Sequence, residues 1–186
     1  ESLQFDTNPP SQTDVEGLAY WNNDDGAKTL NIVMAGGDVV QQVGEETYYR
    51  VKASSALTNG QCAMYTGSVG ASGAITAAPS DGLAATEGPL GLGIATEDIA
   101  TNGWGYITKF GVVRGVNTAN NGLDPEDPDY ETWSDGEILY HDPRYAGSLT
   151  NVVPTAPAAK VQAASVILAH AVMGSLLVRP TFHSTI

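Results

Sequence analysis

The chain has 186 residues, which is enough for one domain that buries its own core without disulfides or metals. Its 21 acidic residues outnumber its 8 lysines and arginines, and the net charge of −13 disfavours binding to nucleic acid or to an anionic membrane. No segment approaches the roughly 20 consecutive apolar residues of a membrane-spanning helix. Cys62 is the single cysteine, so we expect a small buried hydrophobic residue and no disulfide within the chain.

The first 16 residues predict an extended arm. They are polar and contain Pro9 and Pro10, which favour an extended backbone. Leu3 and Phe5 alternate along this segment and would share one side, as expected if the arm docks against a neighbouring subunit. A frayed terminus is the alternative interpretation. The chain begins at Glu1, which fits either removal of an initiator Met or a longer precursor.

A β-hairpin is predicted directly after the arm. Two apolar or β-branched runs, Leu18–Trp21 and Thr29–Met34, flank the turn-forming residues Asn22–Gly26. A Gly-Gly break then precedes a third short strand, Val39–Val43. A hairpin this early in the chain is suited to anchoring on another surface.

This pattern divides the chain into two predicted parts. We expect residues 1–46 to form an attachment segment of arm and hairpin, and residues 47–186 to form a β-barrel or sandwich domain. The candidate assembly interface lies in the first part and consists of Leu3, Phe5, Tyr20 and Trp21.

Short strands separated by turns continue through the second part. A turn is predicted at Thr58–Gly60, and the strand Leu90–Ala95 carries glycine on one face, which lets another backbone approach closely. The long strand Trp104–Val116 is punctuated by glycine, as at barrel corners. We expect its alternating residues to share one side, mainly as core, with an exposed interface or glycan-binding surface as the alternative. These residues are Trp104, Tyr106, Thr108 and Phe110. The other predicted strands are Thr47–Ala53, Gln61–Thr66, Ala74–Ala77, Ile138–Tyr140, Leu149–Val153 and Ser175–Arg179.

The segment Ala158–Met173 is ambiguous by composition. Its alanines favour a helix, whereas its β-branched residues and the prolines before it favour a strand. We predict a strand for most of it. Turn signals recurring at short intervals, with 21 Gly and 10 Pro, then favour an all-β protein, a β-barrel or sandwich with an extended N-terminal arm and a β-hairpin.

Several of these motifs also resemble the structural proteins of tailed-bacteriophage particles. The motifs are Tyr20-Trp21 before an Asn/Asp-Gly turn, the Gly36-Gly37 strand end, Val39–Glu46, Gly93–Ile99, Gly111–Thr118, Gly136–Tyr140, Gly147–Thr150 and Pro154–Pro157. The resemblance covers most of the chain. It implies a non-enzymatic decoration or cement protein on the outside of the capsid, a homotrimer whose partner is the major capsid protein or another virion protein. The alternative that it implies is a head-fibre or tail-fibre module that attaches to a host glycan or receptor.

The densest run of carboxylates, residues 124–137, is where a calcium site would be sought. Pro125 and Pro128 interrupt the ligand spacing that an EF-hand needs, so we interpret the run as a solvated acidic loop.

No other pattern predicts chemistry. A Gly-x-Ser-x-Gly nucleophile motif is missing from the sequence, and His141, His170 and His183 lack the spacing of a helical zinc site. His170 lies in an apolar run, so we expect it to be a hydrogen-bonded core residue. We therefore predict a protein that is not an enzyme and that carries no cofactor and no metal.

Overall fold

The computed structural model describes residues 4, 6, 15–23, 28–81 and 90–183. Their regular secondary structure is β-strand apart from one short 3-10 helix, Gly70–Ser72, which confirms the predicted fold class. They form two compact units, one that ends at Thr47 and one that begins at Tyr48. No helix within these ranges is long and apolar enough to cross a bilayer.

The first unit is a three-stranded antiparallel sheet in the order β1-β2-β3. The hairpin prediction is confirmed, since Tyr20 pairs with Asn31 across the first two strands. Both glycines of the break between the second and third strands have positive φ, 98° at Gly36 and 88° at Gly37, which favours glycine there. The strands are β1 (Ala19–Asn22), β2 (Thr29–Val33) and β3 (Val40–Gln42).

The second unit is built around a closed five-stranded barrel. Its strands follow the order β4-β6-β5-β7-β8, and β8 returns to β4 to close the ring. The pair β4 and β6 is parallel, whereas β5 pairs antiparallel with both β6 and β7. The barrel strands are β4 (Thr47–Ala53), β5 (Cys62–Val69), β6 (Ala74–Pro79), β7 (Gly91–Ala95) and β8 (Trp104–Val116).

Close approach between β7 and β8 depends on Gly93. A Cβ atom built on Gly93 would collide with the backbone carbonyl of Thr108, and the φ of Gly93 is 149°. The close approach of another backbone, predicted for this glycine-bearing face, is therefore confirmed at Gly93. On the inside, Val51, Ala95 and Ile107 are fully buried in the barrel core.

Strand β8 is longer than the barrel needs, and it continues into a second part of the sheet. Its C-terminal half pairs antiparallel with β12, from which the sheet extends in the order β12-β11-β9-β10. The core between these strands includes Cys62, which is buried as predicted. The added strands are β9 (Ile138–His141), β10 (Leu149–Thr150), β11 (Lys160–Leu168) and β12 (Gly174–His183).

Strand β11 confirms the strand prediction for the alanine-rich segment. Ala163 and Ala164 are fully buried, and Val161 and Val166 are nearly so. A sheet that is covered on its inner face accepts such small and β-branched side chains, and this packing overrides the helix propensity of alanine.

The prediction that the shared side of β8 is mainly core is confirmed for only two of its four residues. Tyr106 and Thr108 are buried, but Trp104 and Phe110 are exposed. In the middle of the strand both sides are covered, because Ile107 belongs to the barrel core while Tyr106 packs edge-on against Tyr48. A strand that is buried on both sides loses the simple alternation of exposed and buried residues.

Candidate functional site

Two of the four predicted interface residues are described. Tyr20 and Trp21 are half-buried neighbours on β1, and the hydroxyl of Tyr20 accepts a hydrogen bond of 3.3 Å from the Asn31 amide. Successive residues of a strand point to opposite faces, so the two aromatic side chains present to different sides of this small sheet. Leu3 and Phe5 lie outside the described residues. The interface role of all four stays a prediction.

An apolar surface that the sequence analysis missed lies where β11 turns into β12. We call residues 167–173 the β11–β12 tip. Val172 and Met173 are 69% and 68% exposed, and Ile167 and Leu168 are also exposed. Val172 and Met173 are adjacent and are the two most exposed large apolar side chains among the described residues, as expected of a surface that contacts a partner.

The β11–β12 tip is held rigidly by Thr118, which is fully buried. The Thr118 hydroxyl donates a hydrogen bond of 2.5 Å to the Leu168 carbonyl and accepts one of 3.1 Å from the His170 amide. The Thr118 amide donates to the His170 carbonyl at 3.0 Å. At the start of β12, a Cβ atom on Gly174 would overlap the Thr118 hydroxyl, so only glycine allows this close packing.

His170 completes the turn, and its predicted place in the core is wrong. The side chain is exposed. Its Nδ1 accepts hydrogen bonds from the backbone amides of Val172 at 3.0 Å and Met173 at 2.9 Å. The neighbouring Ala169 amide donates to the Asp135 carboxylate at 2.6 Å. These bonds fix the backbone that carries the exposed apolar side chains.

A second unpredicted feature is an ion-pair cluster around Arg144. Its guanidinium contacts Asp129, Glu131 and Asp142 at 2.7, 2.7 and 2.8 Å. The side chain of Asp142 is fully buried and Glu131 is nearly so. Hydrogen bonding to Asp142 raises the pKa of Arg144 above its ordinary value, so Arg144 stays charged.

Glu131 is the exception in the acidic run 124–137, where Asp124, Glu126 and Asp135 are exposed as predicted for a solvated loop. Burial alone would raise its pKa, but hydrogen bonds from Thr150, Asn151, Trp133 and Arg144 outweigh burial and hold the pKa below its ordinary value. The carboxylate is thus ionised and balanced by an arginine. Within the described ranges, no three His, Cys, Asp or Glu side chains are arranged to hold a metal ion.

His141 ends β9 in the interior. It is only 3% exposed, and among the described residues neither ring nitrogen has a hydrogen-bond partner. Burial lowers its pKa from the ordinary 6.5 to about 4, so the ring is neutral at physiological pH. The structure does not bring His141 together with His170 as a ligand pair, since one is buried and the other is exposed.

A pocket of about 260 Å³ opens beside the predicted turn at Thr58–Gly60. The turn is confirmed, with a 3.0 Å hydrogen bond from the Gln61 amide to the Thr58 carbonyl and a φ of 89° at Gly60. We call this cavity the amide pocket, because side-chain amides form much of its lining. The polar side chains are Thr58, Asn59, Gln61, Asn117, Asn120, Asn121 and Ser148, and the apolar ones are Val116, Trp133, Leu149 and Leu176.

Comparison with protein-family models, with curated proteins and with solved structures finds no match to this chain. The resemblance to phage structural proteins therefore stays a prediction from the motifs.

Proposed function

We propose that this chain is a structural protein of a tailed-bacteriophage particle, a homotrimer that decorates and stabilises the outside of the capsid. Its partner is the major capsid protein. The sequence motifs from Tyr20-Trp21 to Pro154–Pro157 support the virion setting. The observation that carries the attachment role is the β11–β12 tip, where Val172 and Met173 are exposed on a turn whose backbone is held by hydrogen bonds.

The rigidity of the β11–β12 tip favours binding. Its backbone is ordered before any contact forms, so association need not order it first. Removing a valine or methionine side chain from water contributes about 1.5–3 kcal/mol when burial is complete. Since Val172 and Met173 are each more than half exposed, covering them gives a contact of useful strength.

The N-terminal unit supplies the second contact. Tyr20 and Trp21 retain exposed surface on a three-stranded sheet, and together with Leu3 and Phe5 they are the candidate assembly interface predicted from the sequence. Two contacts on one chain strengthen each other because the first raises the effective concentration of the second. A protein that binds the assembled shell and not its free subunits stabilises the shell by mass action.

The test uses particles of the phage whose genome encodes this chain, with the gene deleted. Purified protein is added back, and occupancy and survival on heating are measured. We expect the wild-type chain to bind in many copies on a lattice and to raise heat resistance. A double substitution, Val172→Ser with Met173→Ser, should lose both effects. The matched control is Val152→Ser, which replaces an exposed apolar residue of the same unit and should bind normally. Unchanged heat resistance with wild-type protein would refute the proposal.

A second candidate function is a fibre module that grips a host glycan. The amide pocket is the observation that favours it, since neutral amides and an indole suit a sugar. Copy number separates the two functions. Hundreds of copies on a lattice indicate decoration, whereas a few at one vertex or on the tail indicate a fibre.

A further inference from the structure

The amide pocket is uncharged within an acidic protein. Among the described residues that line it there is no Asp, Glu, Lys, Arg or His, although the chain contains 21 acidic residues. A charged ligand in a partly enclosed site needs a compensating charge. The lining therefore selects for an uncharged ligand.

The pocket also offers unused hydrogen-bond donors. Gln61 uses its Oε1 to accept from the Thr58 amide, which leaves its Nε2 as a donor. Asn120 uses its Oδ1 to accept from Gly122 and Asn117, which leaves its Nδ2 as a donor. A ligand with several acceptor oxygens, such as one with several hydroxyl groups, would satisfy both donors.

These groups are fixed in place before a ligand arrives. The side-chain amide of Asn120 is held by hydrogen bonds of 2.7 and 2.9 Å. The side-chain amide of Asn121 donates to the Asp129 carbonyl at 2.7 Å. Gln61 is packed against Gly147, where an added Cβ would lie 3.1 Å from the Gln61 Cδ. Groups that are already ordered lose little entropy on binding.

The size of the pocket and its apolar surface further restrict the class of ligand that it can bind. The volume of about 260 Å³ lies just below the roughly 300 Å³ at which pockets for drug-sized ligands begin. Trp133 and Leu149 supply apolar surface beside the amides. A pyranose ring has this combination, with hydroxyl groups at its edge and C–H groups on its face.

From these observations we propose that the amide pocket binds one uncharged pyranose, either as a free sugar or as the terminal residue of a glycan. The side-chain amides of Gln61 and Asn120 donate hydrogen bonds to sugar oxygens. This inference deepens the fibre function proposed above. It does not depend on binding to a capsid.

The test is a titration of the isolated chain, which separates its failure from that of the capsid assay. Substituting Trp21→Phe and Trp104→Phe leaves Trp133 as the single fluorophore of the three tryptophans. The probes are the methyl glycosides of glucose, galactose, mannose and N-acetylglucosamine, with glucuronic acid as a charged comparison. We expect a saturable change for at least one neutral sugar, with a Kd on the order of 1 mM, and none for glucuronic acid.

Variants locate the site. Gln61→Met removes the Nε2 donor and keeps the length of the side chain, so affinity should fall about tenfold. Ser148→Phe should fill the pocket and abolish binding, and thermal melting verifies that each variant is folded. Gln162→Ala, a half-buried amide on β11, is the control and should bind normally.

Each outcome of these titrations either supports or contradicts the proposal. Absence of binding by every neutral sugar overturns the proposal, as does binding that both pocket variants leave unchanged or a preference for glucuronic acid. An array of immobilised oligosaccharides separates the two sources of the ligand. Stronger binding there than to the methyl glycosides assigns the pocket to a glycan end, and equal binding assigns it to a free sugar.

Discussion

His141 should make the protein sensitive to mild acid. Its ring is buried with no described hydrogen-bond partner, so the folded state resists its protonation and holds its pKa at about 4. In the unfolded chain the ring titrates at its ordinary 6.5. Between these values the unfolded state binds a proton that the folded state rejects. Stability from this residue is therefore unaffected above pH 6.5 and falls as the pH drops toward 4.

The size of the stability loss follows from the difference between the folded and unfolded pKa values of His141. Each pH unit between these two values removes about 1.4 kcal/mol from the free energy of unfolding. Over the window from pH 6.5 to about 4 the loss reaches about 3 kcal/mol, and most of it is present by pH 4.5. This is a large share of the roughly 5–15 kcal/mol by which a domain is stable. Glu131 acts in a different window, since its lowered pKa makes its contribution disappear only in stronger acid.

Urea unfolding at a series of pH values from 7.5 to 4.5 measures the effect. Two variants separate titration from packing. His141→Leu removes the buried polar ring, and His141→Gln keeps a polar side chain that does not titrate. Both should flatten the dependence on pH between 6.5 and 4.5, and His141→Leu should be at least as stable as wild type at pH 7.5. A slope that stays the same in both variants would refute the assignment to His141.

Three further substitutions test the packing of the second unit. Arg144→Met should destabilise the fold by about 3–5 kcal/mol in urea unfolding, because the buried Asp142 carboxylate loses its counter-charge; a loss below 1 kcal/mol would show that the cluster is solvated. Gly93→Ala should cost at least the upper end of about 1–3 kcal/mol, because its methyl group collides with a neighbouring backbone carbonyl, and a melting temperature equal to wild type would contradict that geometry. Thr118→Val should lower the free energy of unfolding by about 1–3 kcal/mol and speed amide exchange at His170, because the Leu168 carbonyl and the His170 amide each lose a hydrogen-bond partner. Exchange at the wild-type rate would show that Thr118 does not hold the tip.

The features that sequence predicted are local. The hairpin, the turn at Thr58–Gly60 and most strand positions depend on residues within a few positions of one another. The glycine face of β7 was also predictable, because a strand face without side chains has few other uses. The strand β11 required weighing β-branched residues against alanine, and packing decided it.

The features that sequence missed depend on contacts between distant segments. Arg144 meets Asp129 and Glu131 across 15 and 13 residues of chain, and no spacing rule pairs them. Only the contact between Asp142 and Arg144 is local in sequence. The Asp142 carboxylate accepts a hydrogen bond from the backbone amide of Arg144, two residues later, which is a common turn interaction of aspartate. His170 was misplaced because an apolar run was equated with burial, whereas this run forms an exposed turn.

The two candidate surfaces of the second unit share one short segment at the end of β8. Asn117 lines the amide pocket, and the next residue, Thr118, anchors the β11–β12 tip. Val116 borders both, since it lines the pocket and its carbonyl lies 2.6 Å from where a Cβ atom on Gly174 would be. A one-residue insertion before Asn117 would therefore displace a pocket residue and the tip anchor together. Because the same backbone segment supports both surfaces, a change in its conformation should alter sugar binding and the order of the β11–β12 tip at the same time.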